Sequence, residues 1–358
     1  MAELPPFSRS LKESLDSTQV EYVKLGSSGL QVSWPILGTM SFGSPQSGPW
    51  VLDEDASLEI LKAAYDSGIN TWDTANSYSN GLSEETIGKS IKQFGIPREK
   101  LVIMTKCGFC VGEEPDVHGF IYGEHFNKSK DYINQFGLSR SAIFTAVEKS
   151  LTRLGTTYID VLQIHRYDLS TPPEETMKAL HDLVQVGKVR YIGASSMWAT
   201  QFANLQFIAE KNNWTKFISM QNYYNLCYRE EEREMNRLCK DTGVGLIPWS
   251  PMYAGRLARP VGDYKSARAG MANPYHPSLT AADREIIGRV EQLANKKGWK
   301  MNDIALAWHR RKGTVPVVGL NSVARVEDVC SLREKSLTDE EVDYLEEPYV
   351  PRAVAGHF

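Results

Sequence analysis

The feature that most constrains the fold of this sequence is a regular alternation of short apolar segments with amphipathic helical segments. Eight segments have the length and composition of β-strands, at residues 36–39, 70–73, 101–105, 158–165, 191–194, 218–222, 245–249 and 315–318. Helical spacing of apolar residues falls near 55–67, 84–94, 140–154, 174–187, 199–212, 230–241, 282–298 and 323–333. Strands that are each followed by a helix predict an α/β fold, a (β/α)8 TIM barrel, rather than a sandwich.

A doubly wound dinucleotide-binding fold shows a similar alternation. It should carry a G-x-G-x-x-G motif directly after its first strand, whereas this chain reads LGTMSFG there. Before that strand, EYVKLGSSGLQVSWP predicts a β-hairpin with GSSG as its turn. We therefore interpret residues 1–20 as a flexible N-terminal arm and residues 21–358 as one barrel domain.

Composition and charge exclude several other classes of function. The 358 residues carry a net charge of −4, which does not indicate a nucleic-acid-binding surface. No apolar run approaches the roughly 18 residues of a membrane span, and the N-terminus lacks the apolar segment of a secretory signal. The five cysteines are sparse and odd in number, which favours reduced thiols and a cytoplasmic location. We expect a small-molecule partner and no metal, and the oligomeric state stays open.

Polar residues that can carry chemistry stand at the ends of successive predicted strands. Asp73 ends the second strand and Tyr78 follows in its loop, while Lys106 ends the third strand and His165 the fourth. Taken alone, each has a structural explanation: a turn former, a packed ring, a solvated strand end and a buried imidazole. In a barrel, however, these strand ends meet at the face where active sites are built.

These four residue types suit the reduction of a carbonyl group. A phenol is a weak acid with a pKa of about 10, and a nearby ammonium makes it a better proton donor. A buried ammonium needs a counter-charge, which Asp73 can supply. A histidine can donate a hydrogen bond to the oxygen that becomes negative in the transition state. No side chain donates hydride, so this chemistry implies a nicotinamide cofactor.

The stretch GINTWDTANSY, together with Lys106 and His165, resembles the aldo-keto reductase superfamily, and the resemblance extends over residues 23–358. It implies a (β/α)8 barrel, the cofactor NADPH, and Asp73, Tyr78, Lys106 and His165 as catalytic residues. The cofactor-binding positions that it implies are Gly38, Thr39, Met40, Asp73, Ser195, Ser196, Gln221, Trp249, Ser250, Pro251, Met252, Gly255, Arg256, Leu257, Gly319, Leu320, Asn321, Arg325, Asp328 and Val329.

These positions divide along an extended cofactor. By the resemblance, Gly38, Thr39 and Met40 line the nicotinamide ribose. Ser195, Ser196 and Gln221 hold the nicotinamide carboxamide, and Trp249 stacks on the ring. Residues 250–257 clamp the pyrophosphate, and residues 319–329 hold the 2′-phosphate and the adenine. Arg325 is always charged and suits a phosphate, which favours NADPH over NADH. Ser196 and Val329 depart from the family, because asparagine is common at both positions.

Within the superfamily the chain is similar to fungal-type aryl-alcohol dehydrogenases and versiconal hemiacetal acetate reductase-like members. The stretches that carry this likeness are DYINQFGLSR, YIDVLQIHRYD and LEEPYVPRAVAGHF. The likeness predicts NADPH-dependent reduction of an aldehyde or ketone, an aryl or secondary-metabolite carbonyl, to the alcohol. The alternative is a cofactor-binding regulatory subunit that resembles potassium channel β subunits. Reduction of an imine or an enone by the same residues is a third hypothesis.

Two long segments, 107–138 and 251–279, follow the third and seventh strands and belong to the same face. The first contains residues that form either a lid over the substrate or a self-packed loop: Phe109, His118, Phe120, Tyr122, His125, Phe126 and Tyr132. The predicted substrate pocket comprises Trp50, Tyr78, Phe109, His165, Trp198 and Tyr253. Its aromatic character suits a flat substrate. Cys107 and Cys110 form a C-x-x-C, for which we expect no redox or metal role in a barrel loop.

Overall fold

A computed structural model describes residues 9–114, 116–117, 119–126, 128–263 and 278–357 of the chain. Its strands are β1 Glu21–Lys24, β2 Gln31–Trp34, β3 Ile36–Gly38, β4 Thr71–Asp73, β5 Val102–Cys107, β6 Ile159–Ile164, β7 Val189–Ser195, β8 Phe217–Gln221, β9 Gly245–Leu246 and β10 Val317–Gly319. Strands β3 to β10 form one parallel sheet in the order β10-β3-β4-β5-β6-β7-β8-β9.

The sheet closes on itself into a barrel. The backbone N–H of Val315 donates to Leu246 O, and that of Val317 donates to Pro248 O, both at 2.9 Å. These bonds join the two ends of the strand order, so the predicted (β/α)8 barrel is confirmed. Strand β9 is shorter than its predicted range of 245–249, because Pro248 accepts a ladder bond through its carbonyl but has no N–H to donate.

The helices surround this sheet. They are α1 Arg9–Ser17, α2 Glu54–Asp66, α3 Leu82–Gln93, α4 Gly119–Phe126, α5 Arg140–Leu154, α6 Pro173–Gln185, α7 Ala199–Lys211, α8 Met235–Asp241, α9 Ala281–Lys297, α10 Met301–Arg311, α11 Val323–Cys330 and α12 Asp339–Glu346. Each predicted helical segment contains one of them, with shifts of a few residues at the ends. The sequence did not predict α1, α4, α10 or α12. Helix α1 falls within the predicted arm and buries none of its residues.

The predicted N-terminal hairpin is confirmed and lies at the amino ends of the barrel strands. Strands β1 and β2 pair in antiparallel fashion, with Glu21 opposite Trp34. The backbone N–H of Ser33 donates to Thr71 Oγ1, on the first residue of β4, at 2.9 Å, and that of Ser27 donates to Gly243 O at 2.7 Å, just before β9. The carboxyl ends of the strands, at the opposite face, remain available for a site.

The barrel strands are buried on both faces. Every residue of β6 is buried, because its side chains alternate between the barrel interior and the layer beneath the helices. On β5, Thr105 points outward and donates to Glu84 Oε1 on α3 at 2.6 Å, while its neighbour Lys106 points inward. This alternation decides which polar side chains of each strand reach the interior.

Candidate active site

Lys106 lies at the centre of a polar cluster at the carboxyl ends of β4 and β5. Its Nζ is 2.5 Å from Asp73 Oδ2, 2.8 Å from Thr74 O and 3.2 Å from Tyr78 Oη. An ammonium has three N–H groups and no acceptor, so each of its hydrogens has one of these partners. The Tyr78 oxygen therefore accepts from Lys106, and the phenolic hydrogen stays available for a group outside this cluster.

The charge state of Lys106 follows from its surroundings. Its side chain is only 1% exposed, and burial by itself lowers the pKa of an ammonium. The Asp73 carboxylate and the Tyr78 phenol outweigh burial, so that the pKa of Lys106 is raised above its ordinary value. At neutral pH the site thus contains a buried ion pair in contact with a phenol.

Tyr78 lies over the lysine, with Lys106 Nζ 4.9 Å from the ring centroid, and the backbone turns sharply directly after it. Ser79, Asn80 and Gly81 adopt left-handed conformations with φ of 46°, 49° and 97°. Asn80 stabilises its turn, because its amide donates to Val117 O at 2.8 Å and accepts from the Gly112 N–H at 2.9 Å. Left-handed residues other than glycine carry strain, which occurs most often at functional sites.

His165 follows β6 and faces the same opening. Its ring centroid is 5.9 Å from that of Tyr78 and 4.8 Å from that of Phe109. Burial lowers the pKa of His165 well below its ordinary value, and the positive charges of Arg166 and Lys106 lower it further. The imidazole is therefore neutral at physiological pH and has one N–H to donate.

Gln163 is a polar residue of the site that the sequence analysis missed. Gln163 Nε2 donates to Asp73 Oδ1 at 2.7 Å, and Gln221 Nε2 lies 2.9 Å from the same oxygen. Gln163 pairs with Lys106 in the register of β5 and β6. A signal was present, because Gln163 is two residues before His165 and therefore shares its face of the strand.

The residues predicted at the nicotinamide carboxamide lie together. Ser195 Oγ donates to Gln221 O at 2.7 Å, and Trp249 Nε1 donates to Ser196 Oγ at 3.0 Å. The indole of Trp249 stacks on the ring of Tyr223, with centroids 4.5 Å apart. Hydroxyl and amide groups of this kind can donate to and accept from a carboxamide, so these residues fit that end of a nicotinamide cofactor.

The three positions predicted at the nicotinamide ribose follow one another at the end of β3. Thr39 Oγ1 donates to Asp73 O at 3.1 Å, so the side chain of Thr39 is engaged beneath the ion pair. Gly38 pairs with Asp73 in the register of β3 and β4, and Met40 is half-buried. This segment thus lies directly beside the polar cluster.

The segment predicted at the pyrophosphate forms a tight turn. A 3-10 helix spans Tyr253–Ala258, and Ser250 precedes it with φ of 52°. Gly255 (φ 87°) continues the turn, and Arg256 lies over the Tyr253 ring at 4.8 Å. Pro251 and Leu257 are buried and Met252 is half-buried. The groups of this turn that can bind a phosphate are therefore its backbone N–H groups and the guanidinium of Arg256. The rest of the long segment, residues 264–277, lies outside the described residues.

The positions predicted at the adenosine end divide into two groups. Gly319, Asn321 and Arg325 are exposed around the start of α11, whereas Leu320 and Val329 have their side chains in the hydrophobic core. Asp328 makes an ion pair with Lys300 at 2.5 Å. Helix α11 begins without a side-chain cap from Ser322. A helix N-terminus without such a cap, beside an arginine, fits a phosphate group.

The predicted substrate pocket is assembled only in part. Phe109 and Tyr78 flank His165, and Trp50 is half-buried beside Gly48. The side chain of Tyr253 is fully buried, and its hydroxyl is 3.4 Å from Arg352 Nη1. Trp198 is 45% exposed and packs against the His357 ring.

The aromatic residues of the third loop pack partly on one another. The rings of Phe126 and Tyr132 have centroids 4.6 Å apart, and those of Tyr122 and His125 are 6.5 Å apart. His118 lies outside the described residues, as does the side chain of Phe120. These two contacts belong to a self-packed loop, whereas Phe109 of the same segment contacts His165, with centroids 4.8 Å apart.

The C-terminal tail reaches the site, which the sequence analysis did not predict. His357 Nε2 is 2.9 Å from Glu231 Oε1, and Glu231 Oε2 accepts from Asn222 Nδ2 at 2.7 Å. A side chain at Gly356 would come within 3.5 Å of Trp249 and 3.7 Å of Ser196. The tail therefore covers the side of the predicted nicotinamide pocket.

The two cysteines of the C-x-x-C motif are free and buried. Burial raises the pKa of Cys107 to about 12 and that of Cys110 to about 11. Both remain thiols at neutral pH, whereas nucleophilic or redox cysteines are thiolates.

Among the residues described, no helix is both long and apolar enough to cross a membrane.

Comparison with known proteins defines the class to which this fold and site belong. The model of the Aldo/keto reductase family matches residues 36–349. The chain belongs to the aldo/keto reductase family and is thus an oxidoreductase, of a family that generally uses a nicotinamide cofactor.

Relatives of known name cover nearly the whole chain. An aldo-keto reductase from Metarhizium robertsii is 54% identical over 100% of this chain and 98% of its own length. Versiconal hemiacetal acetate reductase from Aspergillus parasiticus is 51% identical over 94% of this chain and 98% of its own length. A Schizosaccharomyces pombe protein whose name assigns it provisionally to the aryl-alcohol dehydrogenases is 50% identical over 94% of this chain and 97% of its own length.

Proposed function

We propose that this chain catalyses the NADPH-dependent reduction of an aldehyde or ketone to the alcohol, with Tyr78 as the proton donor. The observation that carries the proposal is the hydrogen bond from Lys106 Nζ to Tyr78 Oη at 3.2 Å. Because this bond uses the phenol as an acceptor, the phenolic hydrogen points toward the opening that Tyr78 shares with His165. Asp73 and Thr74 occupy the other two N–H groups of the lysine.

Each residue of the cluster has one task in the proposed reaction. The cofactor, when bound, supplies the hydride that reduces the carbonyl carbon. Tyr78 gives its proton to the carbonyl oxygen, and Lys106 stabilises the phenolate that remains. Asp73 keeps Lys106 charged in an interior that would otherwise favour the neutral amine. The neutral His165 donates its N–H to the same carbonyl oxygen as negative charge develops there.

NADPH, rather than NADH, is the proposed cofactor because of the charge at the adenosine end. Arg325 is exposed beside the first turn of α11, whose N–H groups have no side-chain cap. A guanidinium and a helix N-terminus together suit the 2′-phosphate, which NADH lacks. Ser195, Ser196 and Gln221 would hold the carboxamide, and residues 250–257 the pyrophosphate.

An aryl or secondary-metabolite carbonyl is the proposed substrate class. The named relatives include a reductase of versiconal hemiacetal acetate and proteins grouped with the aryl-alcohol dehydrogenases. Phe109 and Tyr78 border His165 with aromatic surface, which a flat substrate can contact.

The proposal is tested by the loss of NADPH absorbance with benzaldehyde and nitrobenzaldehydes, using the wild-type protein and a Tyr78→Phe variant. We expect turnover that falls by roughly 10²–10⁴-fold in the variant, the range for general acid catalysis. NADPH affinity, measured by quenching of tryptophan fluorescence, should change little. A variant that retains most of the wild-type rate would show that Tyr78 is not the proton donor.

A further inference from the structure

Two buried amides bind the carboxylate that holds Lys106. Gln163 Nε2 and Gln221 Nε2 lie 2.7 Å and 2.9 Å from Asp73 Oδ1, and Gln221 Nε2 is also 3.0 Å from Gln163 Oε1. Gln163 is 0% exposed, and Asp73 and Gln221 are each 2% exposed. The three side chains come from β6, β4 and β8 and meet inside the barrel, where each unpaired polar group would be costly.

Hydrogen-bond chemistry determines how the two amides are oriented. A carboxylate only accepts, so Gln163 and Gln221 must both turn their NH2 groups toward Asp73. The second hydrogen of the Gln221 amide then goes to Gln163 Oε1. Both donors of Gln221 are used inside the cluster, and its own carbonyl oxygen faces away from Asp73. Asp73 and Gln163 thus hold Gln221 in this orientation together, each through one hydrogen of its amide.

The same contacts hold the catalytic carboxylate. Asp73 Oδ1 accepts from the two amides while Oδ2 accepts from Lys106. With Oδ1 engaged on one side, Oδ2 stays directed at the ammonium. A carboxylate that accepts fewer N–H groups in a buried site is easier to protonate, and protonation would remove the counter-charge of Lys106.

We propose that Gln163 is a positioning residue that couples Gln221, at the nicotinamide carboxamide, to the Asp73–Lys106 pair. The inference depends on the proposed function, because it assigns Gln221 and Lys106 the tasks given above. Gln163 is not among the catalytic or cofactor-binding residues that the family resemblance implies. It nevertheless orients the catalytic residue Asp73 and the cofactor-binding residue Gln221 through direct hydrogen bonds.

Two substitutions of Gln163 test the inference through opposite pH effects. In Gln163→Leu, Asp73 loses a donor, so the acid limb of kcat should move to higher pH. In Gln163→Glu, the new carboxyl can donate to Asp73 only while it is protonated. Its activity should therefore fall as the pH rises through the apparent pKa of the carboxyl pair. The KM for the aldehyde should change little in either variant, since neither change is at the substrate.

Cofactor affinity gives a readout that does not depend on turnover. NADP⁺ binding, measured by quenching of tryptophan fluorescence, should weaken about 5- to 10-fold in Gln163→Leu, the effect of losing one hydrogen bond of ordinary strength. Thr105→Val is the matched control, because it removes a buried hydrogen bond one residue from Lys106 but on the outward face. It should lower the melting temperature and leave both NADP⁺ affinity and the pH profile unchanged.

The outcomes separate this inference from the proposed function. If Gln163→Leu folds and keeps the wild-type NADP⁺ affinity and pH profile, Gln163 has only a structural role and the inference is wrong. If Gln163→Leu does not fold, Gln163→Glu decides, and a wild-type pH profile in that variant overturns the inference. If the wild-type protein reduces no carbonyl, or Tyr78→Phe retains its rate, the proposed function fails whatever the Gln163 variants show.

Discussion

Lys106 donates a hydrogen bond to Tyr78, across 3.2 Å, and is itself held by Asp73 at 2.5 Å. The direction of the first bond follows from the second, because the pKa of Lys106 is raised and the lysine stays an ammonium. In the proposed reaction, this ammonium stabilises the negative charge that Tyr78 carries once it has given up its proton.

Removal of the Lys106 charge should destabilise the fold as well as abolish reduction. Lys106→Met leaves Asp73 buried without its cation, which should cost roughly 3–5 kcal/mol in the free energy of unfolding. Urea denaturation measures this cost. The double variant Asp73→Leu with Lys106→Met removes both charges and should be less destabilised than the sum of the single changes. Additive effects would mean that the two side chains do not form a coupled pair.

Buried histidines should make stability depend on pH. Burial lowers the pKa of His309 to about 3, and its ring contacts Thr314 Oγ1 at 2.9 Å. Below about pH 6.5 the unfolded chain binds a proton at this residue that the folded protein excludes. The contribution of His309 to the free energy of unfolding is therefore fully present above that pH and decreases as the pH is lowered further. The loss should approach about 1.4 kcal/mol per pH unit for this residue.

His309→Gln supplies the comparison for this pH dependence. Urea unfolding of the wild type and the variant between about pH 7 and pH 5 should show a shallower decline in the variant, because one excluded proton is removed. Parallel declines would mean that His309 titrates normally in the folded protein.

Arg325 should determine the preference between the two nicotinamide cofactors. Arg325→Ala should weaken NADPH binding by roughly 10- to 100-fold, since a hydrogen bond to a charged group contributes about 1.5–3 kcal/mol. NADH affinity should be unchanged, because NADH lacks the 2′-phosphate. Arg333→Ala is a matched control, as Arg333 is also exposed and lies just beyond α11. Equal losses for NADPH and NADH would place the 2′-phosphate elsewhere.

The C-x-x-C thiols should be unreactive in the folded protein. Burial raises the pKa of Cys107 to about 12 and that of Cys110 to about 11, so the reactive thiolate is scarce at neutral pH. Treatment of the native protein with a maleimide should modify neither residue, as mass spectrometry of the peptides would reveal, whereas both should react in urea. Rapid labelling of Cys110 in the native protein would contradict this prediction.

Several elements of the fold were predictable because their signals are local. Apolar segments such as that of β6 and the helical spacing of α2 or α6 depend only on neighbouring residues, and both kinds of element were found. Helix α10 was missed because only three residues separate it from α9. Helices α4 and α12 have eight residues each and were missed, whereas α11 has the same length and was found because Val323, Val326 and Val329 recur at helical spacing.

The sequence alone determined the barrel and the nature of its chemistry, because strand ends and residue types are encoded over short distances. Asp73 and Tyr78 are five residues apart, and the strand and turn between them follow from local conformation. Only the tertiary structure decided which partners they meet. Gln163 and Gln221 are separated from Asp73 by 90 and 148 residues, respectively. Contacts across such distances depend on the register and closure of the barrel, and the burial of Tyr253 and the approach of the C-terminal tail depend on side-chain packing that no local pattern records.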